Sequence, residues 1–156
     1  MKLLYYVEME IRLYLDNCCF NRPYDDQSFL KNYLESEAKI FIQKEILQKK
    51  YELAWSYMMD YEISFNPFID RKIQILKWKN LAIVDINESK EVIRLANEIR
   101  MKNIKPKDSL HLSCAIKADC NFFITTDGKI LNKTIDNITI LDPIDFIKLL
   151  EVYDEN

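Results

Sequence analysis

Along this 156-residue chain the apolar residues switch repeatedly between the period of a buried strand and that of a helix, and this alternation restricts the fold more than any other feature. Short apolar runs predict strands at 11–16, 51–55, 81–84, 121–125 and 138–141. Asn21-Arg22-Pro23-Tyr24-Asp25-Asp26 reads as a turn. In residues 27–49 the residues Phe29, Leu30, Tyr33, Leu34, Ala38, Phe41, Ile42 and Ile46 recur at helical spacing, predicting one or two amphipathic helices. Further helices are predicted at 57–64, stopped near Asn66-Pro67, and at 68–79. Ser89 fits the N-cap of a helix at 90–102 with Val92, Ile93, Ala96 and Ile99 inward, and Pro106 fits the first turn of a helix at 106–118. That last helix is apolar nearly all round, so it should be buried on more than one side. A final helix follows Asp142-Pro143. Strands and helices in alternation imply an α/β fold, a parallel sheet covered by helices.

Composition narrows the class. Apolar residues make up 49% and charged residues 30%, which is globular rather than disordered. With one glycine and four prolines no flexible linker is expected, so residues 1–156 read as a single domain with a core over about 10–150. A net charge of −3 argues against a broad basic face for nucleic acid. The cysteines at 18, 19, 114 and 120 form no C-x-x-C pair, so neither a disulfide framework nor a zinc site is expected and the reduced cytoplasm is the expected compartment. Glu8 and Glu10 interrupt the N-terminal apolar stretch, which speaks against a signal peptide, and no apolar run approaches the roughly 18 residues of a membrane helix.

Four carboxylates stand where such a sheet would gather them. Asp16 closes the run Ile11–Leu15, Asp127 follows Phe122–Thr126, Asp108 opens a helix just after Pro106, and Glu62 lies one or two helical turns beyond Leu53-Ala54-Trp55. Each has an ordinary explanation: a turn starter, a helix-capping Asp-Gly pair, a first-turn carboxylate favoured by the helix dipole, a solvated helix residue. Their coincidence on one rim is more telling, because four acids there repel unless a hard cation binds between them. The first hypothesis is therefore a magnesium-type phosphoester site with Asp16, Glu62, Asp108 and Asp127 as ligands. Asn17 and Thr125 flank the rim and could hold a carboxylate or a metal-bound water in place. Arg100, Lys102, Lys105 and Lys107 bring positive charge just ahead of Asp108, either to engage phosphates or as a solvated loop. His111 falls three residues after Asp108, and a hydrogen-bonded core histidine is the expected role. Cys18 and Cys114 read as small core residues. The aromatic residues are scattered at core spacing rather than gathered into a stacking platform.

Three segments resemble a known family. Leu13-Tyr14-Leu15-Asp16-Asn17-Cys18-Cys19-Phe20-Asn21-Arg22-Pro23-Tyr24-Asp25-Asp26-Gln27 resembles the opening of a bacterial PIN-domain protein. Lys107-Asp108-Ser109-Leu110-His111-Leu112-Ser113-Cys114-Ala115 resembles its third-acid helix, and Phe123-Ile124-Thr125-Thr126-Asp127 its closing T-x-D segment. The resemblance runs from about residue 10 to 147. It implies a three-layer α/β/α sandwich with a parallel sheet of about five strands. It also implies a Mg²⁺- or Mn²⁺-dependent ribonuclease acting on RNA, of the kind found in VapC-like toxins that a small antitoxin holds inactive. By position Asp16, Asp108 and Asp127 match the family's metal-binding acids. The second acid follows a serine at the end of the second strand by about six residues. Ser56 and Glu62 fit that spacing, with Asp60 and Glu45 as alternatives. The resemblance further suggests that the helices at 27–49 and 68–79 meet an antitoxin or a second copy in a homodimer. The family-like strand starts near Glu10 or Ile11, which leaves Met1 and Met9 both as candidate starts.

The expected reaction is metal-assisted hydrolysis of an RNA phosphodiester, with no evident side-chain general base. A catalytically silent PIN-like scaffold that binds a protein partner is the alternative. A phosphatase would carry D-x-D after the first strand, where this chain has Asp16-Asn17-Cys18. A receiver domain would need an acidic pair at the same place, although Asp85 stands at the third strand as a possible phospho-acceptor.

Overall fold

Five short stretches of mainly branched and aromatic residues build the sheet, as strand propensity favours. The computed structural model describes residues 10–154. In it β1 spans Ile11–Leu15, β2 Tyr51–Ser56, β3 Val84–Ile86, β4 Phe122–Ile124 and β5 Thr139–Leu141. The order across the sheet is β3-β2-β1-β4-β5, and every neighbouring pair is parallel. The central strands are buried on both faces, which is why Leu13, Tyr14 and Leu15, or Phe122, Phe123 and Ile124, read as unbroken apolar runs. From β1 the chain winds outward through β2 to β3, then returns to place β4 and β5 on the other side. The winding thus reverses between β1 and β4, and a crevice opens beyond the carboxyl ends of those two strands.

Helices occupy the connections. In chain order they are α1 Asn17–Asn21, α2 Leu30–Leu47, α3 Tyr57–Ser64, α4 Ile69–Leu76, α5 Lys90–Arg100, α6 Pro106–Lys117, α7 Gly128–Leu131 and α8 Pro143–Asp154. Single 3₁₀ segments follow α1 at Arg22–Tyr24 and α4 at Lys77–Leu81. Helix α2 packs on β2 and α8, while α6 packs on β2, α3 and α5. Aromatic pairs lock these layers to the sheet. Tyr14 stacks on Phe123 at 5.3 Å, Phe20 of α1 meets Trp55 of β2 at 5.8 Å, and Phe122 meets Phe146 of α8 edge-on at 5.2 Å. All six rings are essentially buried, and truncating any of them to alanine would cost about 3–5 kcal/mol.

The predicted elements fall close to the observed ones, but Gly128–Leu131 forms a short helix that was not predicted, the helix expected at 68–79 ends in a 3₁₀ segment from Lys77, and further differences have clear causes. The third strand is Val84–Ile86 rather than 81–84, because pairing with β2 begins only at Ile83 N to Leu53 O (2.9 Å) and Leu81 closes a 3₁₀ turn instead. Residues 17–20, read as no element, and Asn21, read as the start of a turn, form α1, which the carboxylate of Asp16 caps. Ile93 was expected inward but is 39% exposed, since Val92, Ala96 and Ile99 already form the buried stripe of α5 and Ile93 points a third of a turn away. Ser89 does cap α5 by accepting from Val92 N, and α6 is buried along most of its length. Met1 and Met9, the candidate starts, lie outside the described residues.

Candidate active site

Asp16 is the first residue beyond β1. Its backbone stays extended, and its N–H donates to Ile124 O of β4 at 2.9 Å, which fixes the carboxylate at the mouth of the crevice. Oδ1 accepts from Asn17 N at 2.8 Å and caps α1. Oδ2 accepts from the hydroxyl of Thr125, just past β4, at 2.9 Å, and Cys18 Sγ lies 3.5 Å away. Thr125 Oγ1 in turn accepts from Asp127 N at 3.1 Å, so one hydroxyl ties together two of the predicted acids. Asp16 is 6% exposed, and burial raises its pKa against the opposing pull of His111 and Thr125.

Glu62 reaches the same crevice from α3. Asn17 Nδ2 donates to its Oε2 at 3.3 Å, and His111 Nε2 lies 2.6 Å from its Oε1. The other ring nitrogen of His111 is 2.6 Å from the hydroxyl of Tyr14, and that hydroxyl is 2.7 Å from Ser56 Oγ at the end of β2. Ser56 stands at the N-cap of α3 yet makes no capping bond, because its hydroxyl is engaged in this relay. The relay works in either charge state of the ring. With His111 neutral, Nε2–H donates to Glu62 and Tyr14 donates to Nδ1. With His111 charged, Nδ1–H donates to Tyr14, whose proton turns to Ser56. Burial pushes the His111 pKa down, but the Glu62 bond and the charges of Asp16, Glu62 and Asp108 prevail and raise it. Burial likewise pulls Glu62 up, and His111 with Asn17 outweighs it and lowers the pKa.

Asp108 sits in the first turn of α6, three residues ahead of His111 and so on the same helix face. Burial, followed by the charges of Asp16 and Asp127, pushes its carboxyl up from 3.8 to about 6, with Glu62 adding to the rise. Asp127 caps α7 by accepting from Lys129 N at 2.9 Å. The four acids therefore share one electrostatic neighbourhood at the point where the winding of the sheet reverses.

The sequence model of the PIN domain matches residues 13–135, most of the chain. The chain belongs to the PIN domain family. Its fold is similar to the VapBC2 complex of Rickettsia felis, crystallised with a DNA fragment from its promoter. The TM-score is 0.52 at 19% identity, over 85% of this chain and 98% of that one. No curated relative matches the sequence.

The donor chemistry of this PIN domain suits a hard divalent cation. Asp16, Glu62 and His111 each bring a ligand atom within 4.8 Å of the others. Both nitrogens of His111 are already engaged, by Glu62 and by Tyr14, which leaves carboxylate oxygens as the available donors. Oxygen donors suit Mg²⁺ or Mn²⁺ rather than zinc. Burial first, and then the charges of Asp16 and Asp127, raise the pKa of Asp108, and a bound cation would offset the part that comes from those charges.

The alternatives for the second acid point elsewhere. Asp60 accepts from Trp55 Nε1 at 2.9 Å and pairs with Lys79 at 3.0 Å. Glu45 lies on α2 and pairs with Lys50 at 3.1 Å. Asp85 lies within the edge strand, 3.7 Å from Lys79, away from the place a phospho-acceptor would need. Of the basic run, Lys107 is near enough that its charge helps lower Glu62. Sequence reasoning did not foresee the roles of Tyr14, Ser56 and Cys18. It read His111 as a hydrogen-bonded core residue, and its partner proves to be Glu62; the i, i+3 spacing from Asp108 was the only available signal.

Proposed function

We propose that this PIN domain is a Mg²⁺- or Mn²⁺-dependent endoribonuclease, the toxin of a toxin–antitoxin pair, and that Asp16, Glu62, Asp108 and Asp127 hold the ion. The observation that carries the reading is the cluster beyond β1 and β4, where Asp16 and Glu62 offer ligand atoms within 4.8 Å of each other and burial, then the charges of Asp16 and Asp127, raises Asp108 to about 6. A bound divalent ion supplies Lewis acidity toward the phosphate and makes a water nucleophilic at neutral pH. The protein's own part is positional. Thr125 and Asn17 N fix the two oxygens of Asp16, and Asn17 Nδ2 and His111 fix those of Glu62. Lys107 adds positive charge beside the acids, where an RNA phosphate must approach.

The similarity to a VapBC complex supports a small antitoxin as partner. The outward faces of α2 and α4 support either that partner or a homodimer. Phe29, just ahead of α2, and Leu30, Tyr33, Leu34 and Phe41 on it are exposed, as are Ile69 and Ile73 on α4, and exposed apolar patches mark interfaces. Among the described residues no helix is long and apolar enough to cross a membrane, which is compatible with the cytoplasm as the site of action.

The test is cleavage of single-stranded RNA. Wild type should cut in Mg²⁺ and stop in EDTA, and Asp16→Asn or Asp108→Asn should lower the rate by about 10²-fold or more, the scale of losing an electrostatic stabiliser of the transition state. Wild-type rates in Asp108→Asn would refute the assignment. A wild type that binds its partner but cuts nothing would favour the silent scaffold.

A further inference from the structure

Beside Glu62 and Asn17 the surface opens into a groove of about 290 Å³, walled by Asn21, Phe65, Asn66, Phe68 and Arg71. Its cation is unusual. The Arg71 guanidinium lies 3.9 Å from the centroid of the Phe68 ring and 4.9 Å from that of Tyr24. It takes part in none of the ion pairs among the described residues. Stacking of this kind occupies the faces of a guanidinium and leaves its N–H edge free to donate. Three amides lead from the wall of the groove to the acids. Asn66 Nδ2 donates to Asn21 Oδ1 at 3.2 Å, Asn21 Nδ2 donates to Asn17 O at 3.0 Å, and Asn17 Nδ2 donates to Glu62 Oε2 at 3.3 Å. Phe65 and Phe68 are 66% and 52% exposed, so ring surface stands open in the same groove.

A cation without a counter-charge, open aromatic surface and a row of amides, leading directly to an acidic centre, match one ligand chemistry: a nucleotide with its phosphate and an unpaired base. We propose that this groove seats the nucleotide flanking the scissile phosphate of a single-stranded RNA, with Arg71 donating to its phosphate and Phe65 or Phe68 stacking on its base. The inference rests on the ribonuclease reading and adds the residues that position the substrate. A polypeptide partner would suit the apolar face of α2 better than this amide-lined groove.

Binding and turnover separate the two claims. The probe is a fluorescein-labelled single-stranded RNA, titrated by anisotropy on an Asp108→Asn background and repeated across a salt series. Arg71→Ala should weaken binding about tenfold and lower the salt slope by about 0.7, the signature of one lost phosphate contact on a single strand. Arg71→Lys should restore the slope but only part of the affinity, because lysine cannot stack as a plane. Phe68→Ala should weaken binding about tenfold with little change of slope. In the otherwise wild-type protein, Arg71→Ala should raise KM while kcat holds. Unchanged affinity and slope in Arg71→Ala would overturn the proposal, as would loss of a protein partner with RNA binding intact. If Asp108→Asn still cleaves, the placing of Asp108 on the ion falls, and if the wild type cuts nothing the ribonuclease reading falls, whereas the Arg71 result is read from binding alone.

Discussion

Asp108, Asp16 and His111, all in the crevice, each make the fold less stable as pH rises. In the metal-free protein Asp108 has its pKa raised to about 6 from 3.8, so the native state keeps a proton that the unfolded chain has released. Its contribution to stability therefore falls as pH rises from about 4 to about 6. Asp16, also raised, acts with the same sign. His111 is raised above 6.5, so its contribution is full below that value and is lost as pH climbs through the folded pKa. Glu62 is lowered from 4.5, and its contribution is present above that value and lost only in more acid solution. The melting midpoint of EDTA-treated protein should thus fall as pH rises from about 4 to about 6, through Asp108 and Asp16, and fall further above 6.5 as His111 loses its proton. Saturating Mg²⁺ should flatten the profile, because an ion that binds only the native state stabilises it and displaces those protons. A flat or rising midpoint over that range without metal would contradict the clustering.

At the scale of elements, the 3₁₀ turn after α1 depends on Arg22. Its guanidinium bonds Asp25 and Asn32 and lies 3.4 Å from Glu35, a carboxylate of α2 that is only 1% exposed. Replacing Arg22 by alanine strands that buried charge and should cost about 3 kcal/mol in urea unfolding. Arg22→Ala combined with Glu35→Leu should recover much of the loss, and an unchanged single mutant would mean Glu35 is already neutral. This turn also shows what the sequence could and could not reveal. Asp16, Asp108 and Asp127 were legible as acids at strand ends or helix starts, because a parallel sheet sends all such positions to one rim. The five strands were legible from their apolar runs, although β3 was misplaced because register against β2, not hydrophobicity, decides where an edge strand begins. The link Tyr14–His111–Glu62 was not legible, since its members are 97 and 49 residues apart and nothing local marks them as partners. Helix α1 escaped notice because Cys18-Cys19-Phe20 is too short to show a period.

For the whole molecule, the surface left open by α2 and α4 decides its state in solution. Leu30 and Ile69 are 70% and 71% exposed, more than isolated apolar residues on a monomer require once Phe29 and Ile73 are exposed on the same elements. Sedimentation should show a dimer at micromolar concentration, and Leu30→Glu with Ile69→Glu should yield a monomer that melts within about 1 kcal/mol of wild type, as surface substitutions do. A wild type that is already monomeric would assign the patch to a different chain.

The place of β1 in the middle of the sheet has a consequence for biosynthesis. Asp16 leaves the ribosome early, but the hydroxyl that holds it belongs to Thr125, 109 residues later, and β4 is a strand it must pair with. A nascent chain cut short before β4 owns Asp16 and Glu62 but has no rim to set them on. If the ribonuclease proposal holds, translation must pass Thr125 before the product can attack RNA, so a polysome making this protein is shielded from its own unfinished chains.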